Sequence, residues 1–398
     1  LRTNNDRLIE LPTIAKTAPI TWAIITGEYP PQPGGVSDYS WHVAHALHAA
    51  GDHVHVFAPG RDIAELSSPV TVHRLSDRFG RRGRLELFEA LNALPTPRRA
   101  LLQFVLQSFG MRALNLPFAH FLARLRGFPL WIMFHEYAIG DDRAQPLYRR
   151  LHASVTRIVA RTATRAADLA FVSTPAWRVP VSKASPALPI QWLPIPSNIP
   201  TVADLGEVER LRAQYQYATN SAIIGHFGTY RMQESNALIL ETIRLLSRSD
   251  VTRSFLLLGR GSVDFVQRLL ADEPSLGGRV FGTGDLGAQE VANHLMACDL
   301  LVQPYSDGVT TRRSSLISGL ALGVPTLTTL GSRSEEFWGQ SGAALFAKAN
   351  DVSSMVALAE IALADENIRV ELREKARELY ARLFDIAHTI RKLRQAGN

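Results

Sequence analysis

Residues 299–329 read DLLVQPYSDGVTTRRSSLISGLALGVPTLTT. Leu300 to Val302 is a short apolar run that reads as a buried strand. A polar loop follows, from Tyr305 to about Thr311. Residues 314–322 read as a short helix with Thr310 or Thr311 as its N-cap, Gly323 ends it, and Val324-Pro325 opens another strand. This strand–loop–helix–strand unit belongs to parallel sheets, where ligands sit in the loop after a strand's carboxyl end. The following helix points its free N–H groups and positive dipole end at that loop. The loop holds one carboxylate, Asp307, with Gly308, Val309, Thr310, Thr311, Arg312 and Arg313. Arginine forks and free amides suit a phosphate, and a lone carboxylate suits the hydroxyls of a ribose or a sugar. The stretch therefore reads as a site for a nucleotide with a sugar attached.

The same alternation recurs on both sides. Upstream, residues 21–26 (TWAIIT) read as a strand and 27–35 (GEYPPQPGG) as a loop. A helix from about Val36 to Ala50 and a second strand, His53 to Ala58, follow. The opening lacks GxGxxG, and no acidic residue ends the second strand, so a nicotinamide site is a poor reading. Gly34 and Gly35 lie where backbone approaches a ligand at a helix N-terminus, or where a tight turn needs glycine. Glu28 and Asp38 flank them as acceptor-contact candidates or as loop and cap residues. Pro129 to Phe134 reads as a buried strand running into His135-Glu136-Tyr137, which puts His135 at the ligand end of the sheet. Leu193 to Ile195 reads as a short strand. The proline-rich PIPSNIP at 194–200 is the best domain boundary. Past it, Ile223 to Phe227 is a strand entering Gly228-Thr229-Tyr230-Arg231, and another strand runs into Gly282-Thr283-Gly284.

At 398 residues the chain can hold two domains with separate cores. No apolar run reaches the roughly 20 residues of a membrane span. Residues 1–18 are polar and mixed, without a signal-peptide pattern. The one cysteine, Cys298, excludes an internal disulfide and fits a reducing cytoplasm. The net charge of +6 is carried mostly by arginine. No zinc spacing and no aromatic–basic motif is present, which disfavours nucleic acid as a partner. Asp141-Asp142 does not make a metal site, because adjacent carboxylates point apart in most backbones. Residues 78–126 combine recurrent arginines with Leu-, Phe- and Ala-rich stretches such as LLQFVLQSFGMRAL, read as helical. Such a surface suits peripheral contact with anionic lipid, or ordinary packing helices with solvated arginines.

An acidic residue and Gly, then a helix ending in Gly-Val-Pro and a Thr-rich strand, resemble the donor site of retaining GT-B glycosyltransferases of glycosyltransferase family 4. The Gly-Gly loop, the histidine after a strand and the linker fall in the family's order. The resemblance implies an α/β, GT-B fold: two doubly wound parallel-sheet domains facing across a cleft. It implies an N-terminal extension (1–18), an acceptor domain (19–199), a nucleotide-sugar domain (200–376) and a last helix crossing back (377–398). It also implies transfer of a sugar from a nucleotide-diphosphate sugar to a hydroxyl acceptor with retention, with no cofactor and no metal.

The family's pair of glutamates eight positions apart stands here as Asp307 and Ser315. Its Arg and Lys on the donor diphosphate have no lysine to match between Lys183 and Lys348. Arg231 and Arg312 are the implied clamp. His135 and Asp307 are the implied catalytic partners of Arg231. Gly34, Gly35, Gly228, Gly282, Thr283, Gly308, Val309, Thr310, Thr311, Arg312 and Ser315 are the implied donor contacts, and Glu28, Asp38 and Glu136 the candidate acceptor contacts. A GT-B epimerase or phosphorylase, or a non-catalytic binding module, stays open as an alternative.

Overall fold

The computed structural model describes residues 18–60, 68–125, 127–137, 146–230 and 234–396. They form two compact units, one running to Pro194 and resuming at Ile386, the other Ile195–Asp385. The first unit runs β1 (Thr21–Thr26), α1 (Gly35–Ala49), β2 (His53–Pro59), β3 (Thr71–Leu75), α2 (Arg81–Ala93), β4 (Arg98–Phe104), α3 (Leu116–Leu122), β5 (Leu130–Phe134), α4 (Leu147–Ala166), β6 (Leu169–Val172), α5 (Arg178–Ala184) and β7 (Ile190–Trp192). The second runs α6 (Leu205–Tyr215), β8 (Ile223–Phe227), α7 (Glu234–Ser249), β9 (Ser254–Leu258), α8 (Ser262–Asp272), β10 (Val280–Gly282), α9 (Ala288–Met296), β11 (Leu300–Gln303), α10 (Ser314–Leu322), β12 (Thr326–Leu330), α11 (Phe337–Gln340), β13 (Leu345–Lys348), α12 (Val352–Ala364) and α13 (Glu366–Leu379). The last helix, α14 (Ile386–Gln395), returns to the first unit and packs on α1.

All the strand pairings are parallel. The first sheet is ordered β3-β2-β1-β4-β5-β6-β7 and the second β10-β9-β8-β11-β12-β13. Parallel sheets are covered on both faces, so their strands read as continuous apolar runs. β1, β5 and β9 are buried at every position. In each sheet the order reverses beside the first strand, between β1 and β4 and between β8 and β11. That reversal opens a crevice at the strands' carboxyl ends, where ligands of doubly wound folds bind.

Four readings from sequence are corrected. The LLQF of residues 101–104 is not helix but the buried half of β4, in the middle of the first sheet. A short apolar run carries no period that separates a buried strand from a buried helix. β3 was not anticipated; it is an edge strand, half-exposed along most of its length. The strand placed at Leu193 to Ile195 lies at Ile190–Trp192, because Pro194 and Pro196 lack the N–H that would continue the ladder. The residue at the N-cap of α10 is Arg313, with no side-chain cap, because the Thr311 hydroxyl donates to Glu335 instead.

Candidate functional site

β12 shapes the loop after β11. Thr329 Oγ1 accepts from Tyr305 N at 2.9 Å and donates to Tyr305 O at 2.7 Å, and Val309 N donates to Thr329 O at 2.8 Å. The loop after β12 then closes on it, with Arg333 N donating to Asp307 O at 3.0 Å. Gly308 makes this approach possible. Its φ is +90°, and a Cβ there would lie 2.3 Å from Gly331 N. The Val309 side chain points into the core, so its site contribution is backbone.

This approach brings Asp307 between two arginines. Arg313 Nη2 lies 2.6 Å from Asp307 Oδ1, and Arg333 Nε lies 3.5 Å from Oδ2. The Arg313 guanidinium sits 4.5 Å over the Tyr305 ring, a cation–π contact. The Tyr305 hydroxyl is 3.0 Å from Ser315 Oγ. Asp307 is thus not the lone carboxylate that the sequence suggested. Glu335 is engaged too: it accepts from Thr311 N, Thr311 Oγ1 and Trp338 Nε1. Thr310 is buried, and its hydroxyl has no hydrogen-bond partner among the described residues. Arg312 is half-buried beside Arg313.

The neighbouring loops show why glycine recurs there. A Cβ on Gly259 (φ +110°) would lie 2.2 Å from Gly228 O, and one on Gly282 would lie 2.6 Å from Ser262 O. Thr283 Oγ1 accepts from Gly259 N at 3.3 Å and donates to Gly284 O at 3.0 Å. Gly282 and Thr283 therefore have a geometric duty whatever they bind. Gln303 Nε2 donates to Phe227 O at 3.1 Å and ties the β8 and β11 ends together. Arg260 pairs with Asp285 at 3.0 Å on the exposed rim. Arg231 and the Asp141-Asp142 pair lie outside the described residues.

Before Arg231, the Tyr230 hydroxyl donates to His226 O at 2.9 Å and lies 2.5 Å from His226 Nδ1. Burial pushes the His226 imidazole down to about 4 from 6.5. Between those values the unfolded chain binds the proton and the folded chain does not, so stability falls as pH drops through that window. The expected loss is about 2 kcal/mol by pH 5 and about 3 kcal/mol below pH 4. Denaturant melts of the protein and of His226→Gln from pH 7.5 to 4.5 check this. A variant as acid-sensitive as the parent would exclude His226 as the source.

In the first unit, Glu28, Gly34, Gly35, Asp38, His135 and Glu136 gather at the carboxyl end of the sheet. Gly34 is the N-cap of α1 and Asp38 lies in its first turn. A Cβ on Gly34 would lie 2.7 Å from Glu28 Oε1, whereas Gly35 has open space around it. The Glu28 carboxylate faces the N–H groups of Val36 and Ser37, which favour its charged form, but burial is the larger effect and raises its pKa. It therefore caps α1 with the chain's own anion. His135 Nε2 lies 2.8 Å from Gln103 Oε1 on β4, and its ring packs edge-on against Tyr39 at 4.7 Å. The sequence reading missed Gln103, Tyr305, Arg333 and Glu335. For Arg333 and Glu335 a signal existed, since GSRSEE follows a strand directly beside β11. Among the described residues no group of three His, Cys, Asp or Glu could hold a metal ion.

Residues 34–215 match the family model of the glycosyl transferase 4-like domain. No curated protein matches the chain by sequence. Among solved structures, the chain is similar to sucrose-phosphate synthase from Thermosynechococcus elongatus, with 17% identity over 95% of this chain and 98% of that one, at a TM-score of 0.68. It is similar to WaaG, a glycosyltransferase involved in lipopolysaccharide biosynthesis, with 15% identity over 94% and 100% at 0.68. It is also similar to HepE of Anabaena, solved with UDP and glucose, with 15% identity over 95% and 98% at 0.65. Likeness at this identity speaks for the fold, and it agrees with the resemblance carried by the Asp307 to Thr329 stretch. The chain has the GT-B fold of two parallel-sheet α/β domains, and its residues 34–215 match the glycosyl transferase 4-like domain.

Proposed function

We propose that the protein is a retaining glycosyltransferase that moves a sugar from a nucleotide-diphosphate sugar to a hydroxyl acceptor without a metal. The observation that carries this reading is the charged loop from Tyr305 to Arg313, held at the crevice where the second sheet reverses. The donor binds the second unit there, and the acceptor binds the first unit near His135 and Glu136. Positive charge from Arg231 and Arg312 stabilises the leaving diphosphate, which is electrostatic catalysis. The leaving phosphate takes the acceptor proton as the hydroxyl attacks from the same face. No side-chain nucleophile is needed for that route.

An anionic membrane as a resting surface has support beyond residues 78–126. Several arginines of that stretch are used internally: Arg84 donates to Phe79 O, Arg98 to three carbonyls, and Arg99 lies 4.7 Å over the Trp131 ring. Leu85, Phe88 and Met111 are exposed within that stretch, and beyond it Leu147, Tyr148 and Leu151 are exposed with Arg149 and Arg150 among them. Among the described residues no helix is long and apolar enough to cross a membrane.

The test is a thermal-shift screen against UDP-, GDP-, ADP- and dTDP-sugars without added metal, followed by nucleotide release on the hits. A ligand bound only by the folded chain raises the melting point. One nucleotide class is expected to shift the melt and to be released slowly without acceptor. No shift with any of them would turn the reading to a binding module that has lost its donor.

A further inference from the structure

Neutral sugars are held through hydroxyls, and hydroxyl donors need acceptors, usually carboxylates. The loops after β11 and β12 have few to offer. Asp307 is clamped between Arg313 and Arg333. Glu335 is spent on Thr311 and Trp338. Glu336 is exposed at the start of α11. The hydroxyl of Ser315 is paired with Tyr305. What the loops do offer is positive charge, since one carboxylate between two guanidiniums leaves a net +1.

The donors on those guanidiniums are not exhausted. A guanidinium carries five N–H groups in a planar fork. Arg333 meets Asp307 through Nε, and its side chain is 57% exposed. Among the described residues no hydrogen bond occupies its two terminal nitrogens. Arg313 meets Asp307 through Nη2, and its Nε is buried without a partner among the described residues. Asp307 hydrogen-bonds Arg313 and draws Arg333 towards it through a longer ionic contact, and stacking on Tyr305 holds Arg313 further. A preoriented guanidinium fork matches a carboxylate, with two parallel N–H···O bonds.

We propose that the transferred sugar is itself anionic, a hexuronic acid by chemical class, and that Arg333, oriented by Asp307 beside Arg313, reads its carboxylate. This rests on the donor-site reading above. It makes Arg333 a specificity-determining residue, not a catalytic one.

Calorimetric titration of the full-length protein tests it with UDP-glucuronic acid against UDP-glucose, GDP-mannuronic acid against GDP-mannose, and free UDP and GDP. The acidic member of the recognised pair is expected to bind about tenfold more tightly, the scale of one charge-assisted contact. In Arg333→Ala that ratio collapses towards one, and in Arg333→Lys it is partly restored. Arg333 is exposed, so the alanine variant keeps the parent's melting point. Equal binding of acidic and neutral sugars overturns the proposal and leaves the transferase reading intact, as does a preference that survives Arg333→Ala. Arg333→Ala weakening free nucleotide and both sugars alike assigns the arginines to the diphosphate and also overturns it. Binding of none of these ligands overturns the donor-site reading and the proposal with it.

Discussion

Asp307→Ala is expected to lower turnover about 100-fold, about 2.7 kcal/mol of transition-state stabilisation, while changing donor affinity much less. The asymmetry follows from what the carboxylate does. Asp307 sets the positions of Arg313 and Arg333 at 2.6 and 3.5 Å, and both its contacts are made before any ligand arrives. Without it, two like charges share a partly buried loop and move apart. The site then keeps its attraction for an anion and loses the fixed placement that holds the transferred sugar against the leaving diphosphate. Such a loss falls on kcat and leaves KM nearly unchanged. Asp307→Asn keeps an acceptor oxygen without the charge, so its turnover should lie between. Steady-state kinetics with the donor found by the screen provide the measure. If Asp307→Ala keeps more than half of the parental kcat, the site lies elsewhere. A melting point within a few degrees of the parent's would show that the loss is not one of folding.

How much of this was legible beforehand depends on where the information lies. β1, α1, β8 and α10 were readable because each combines an apolar run with a boundary residue that has its own chemistry. Gly323 ends α10 in a left-handed conformation, and Gly34 opens α1. β4 was not, because RRALLQF is apolar in one half and cationic in the other, and its burial comes from β1 and β5 on either side. The loop around Asp307 does lie at the carboxyl end of β11, as its sequence implies, but its electrostatics were misjudged. The partner that matters, Arg333, is 26 positions away and reaches Asp307 through the backbone approach that Gly308 permits. Pairing across two loops leaves no local pattern. Glu28 illustrates the same limit. Six residues before Gly34, it reads equally as an acceptor contact or a cap residue, and only the fold shows it lying against the first N–H groups of α1.

The return of the chain to the first unit supplies the prediction with the largest effect on stability. Asp52 is buried at the start of β2, accepting from Ile20 N at 3.1 Å and Trp22 Nε1 at 3.0 Å. Arg394, on the last turn of α14, lies 3.6 Å from Asp52 and donates to Ala50 O at 2.7 Å. Both side chains are nearly excluded from water, at 4% and 0% exposure. Around them Ala387, Ile390 and Leu393 seal the inner face of α14. A buried pair of charges is costly to assemble, yet removing one partner leaves the other desolvated and unpaired. Asp52→Ala is accordingly expected to cost about 3–5 kcal/mol, a fall of roughly 8–15 °C in melting point. Arg394→Met should cost less, because the apolar side chain fills the space and Asp52 keeps its two N–H donors. The double variant Asp52→Ala/Arg394→Met should recover part of the loss, since no unpaired guanidinium then remains. Chemical denaturation of the four proteins measures the coupling. If the two changes simply add, Asp52 and Arg394 act independently, and α14 is held to the first unit by its apolar face alone.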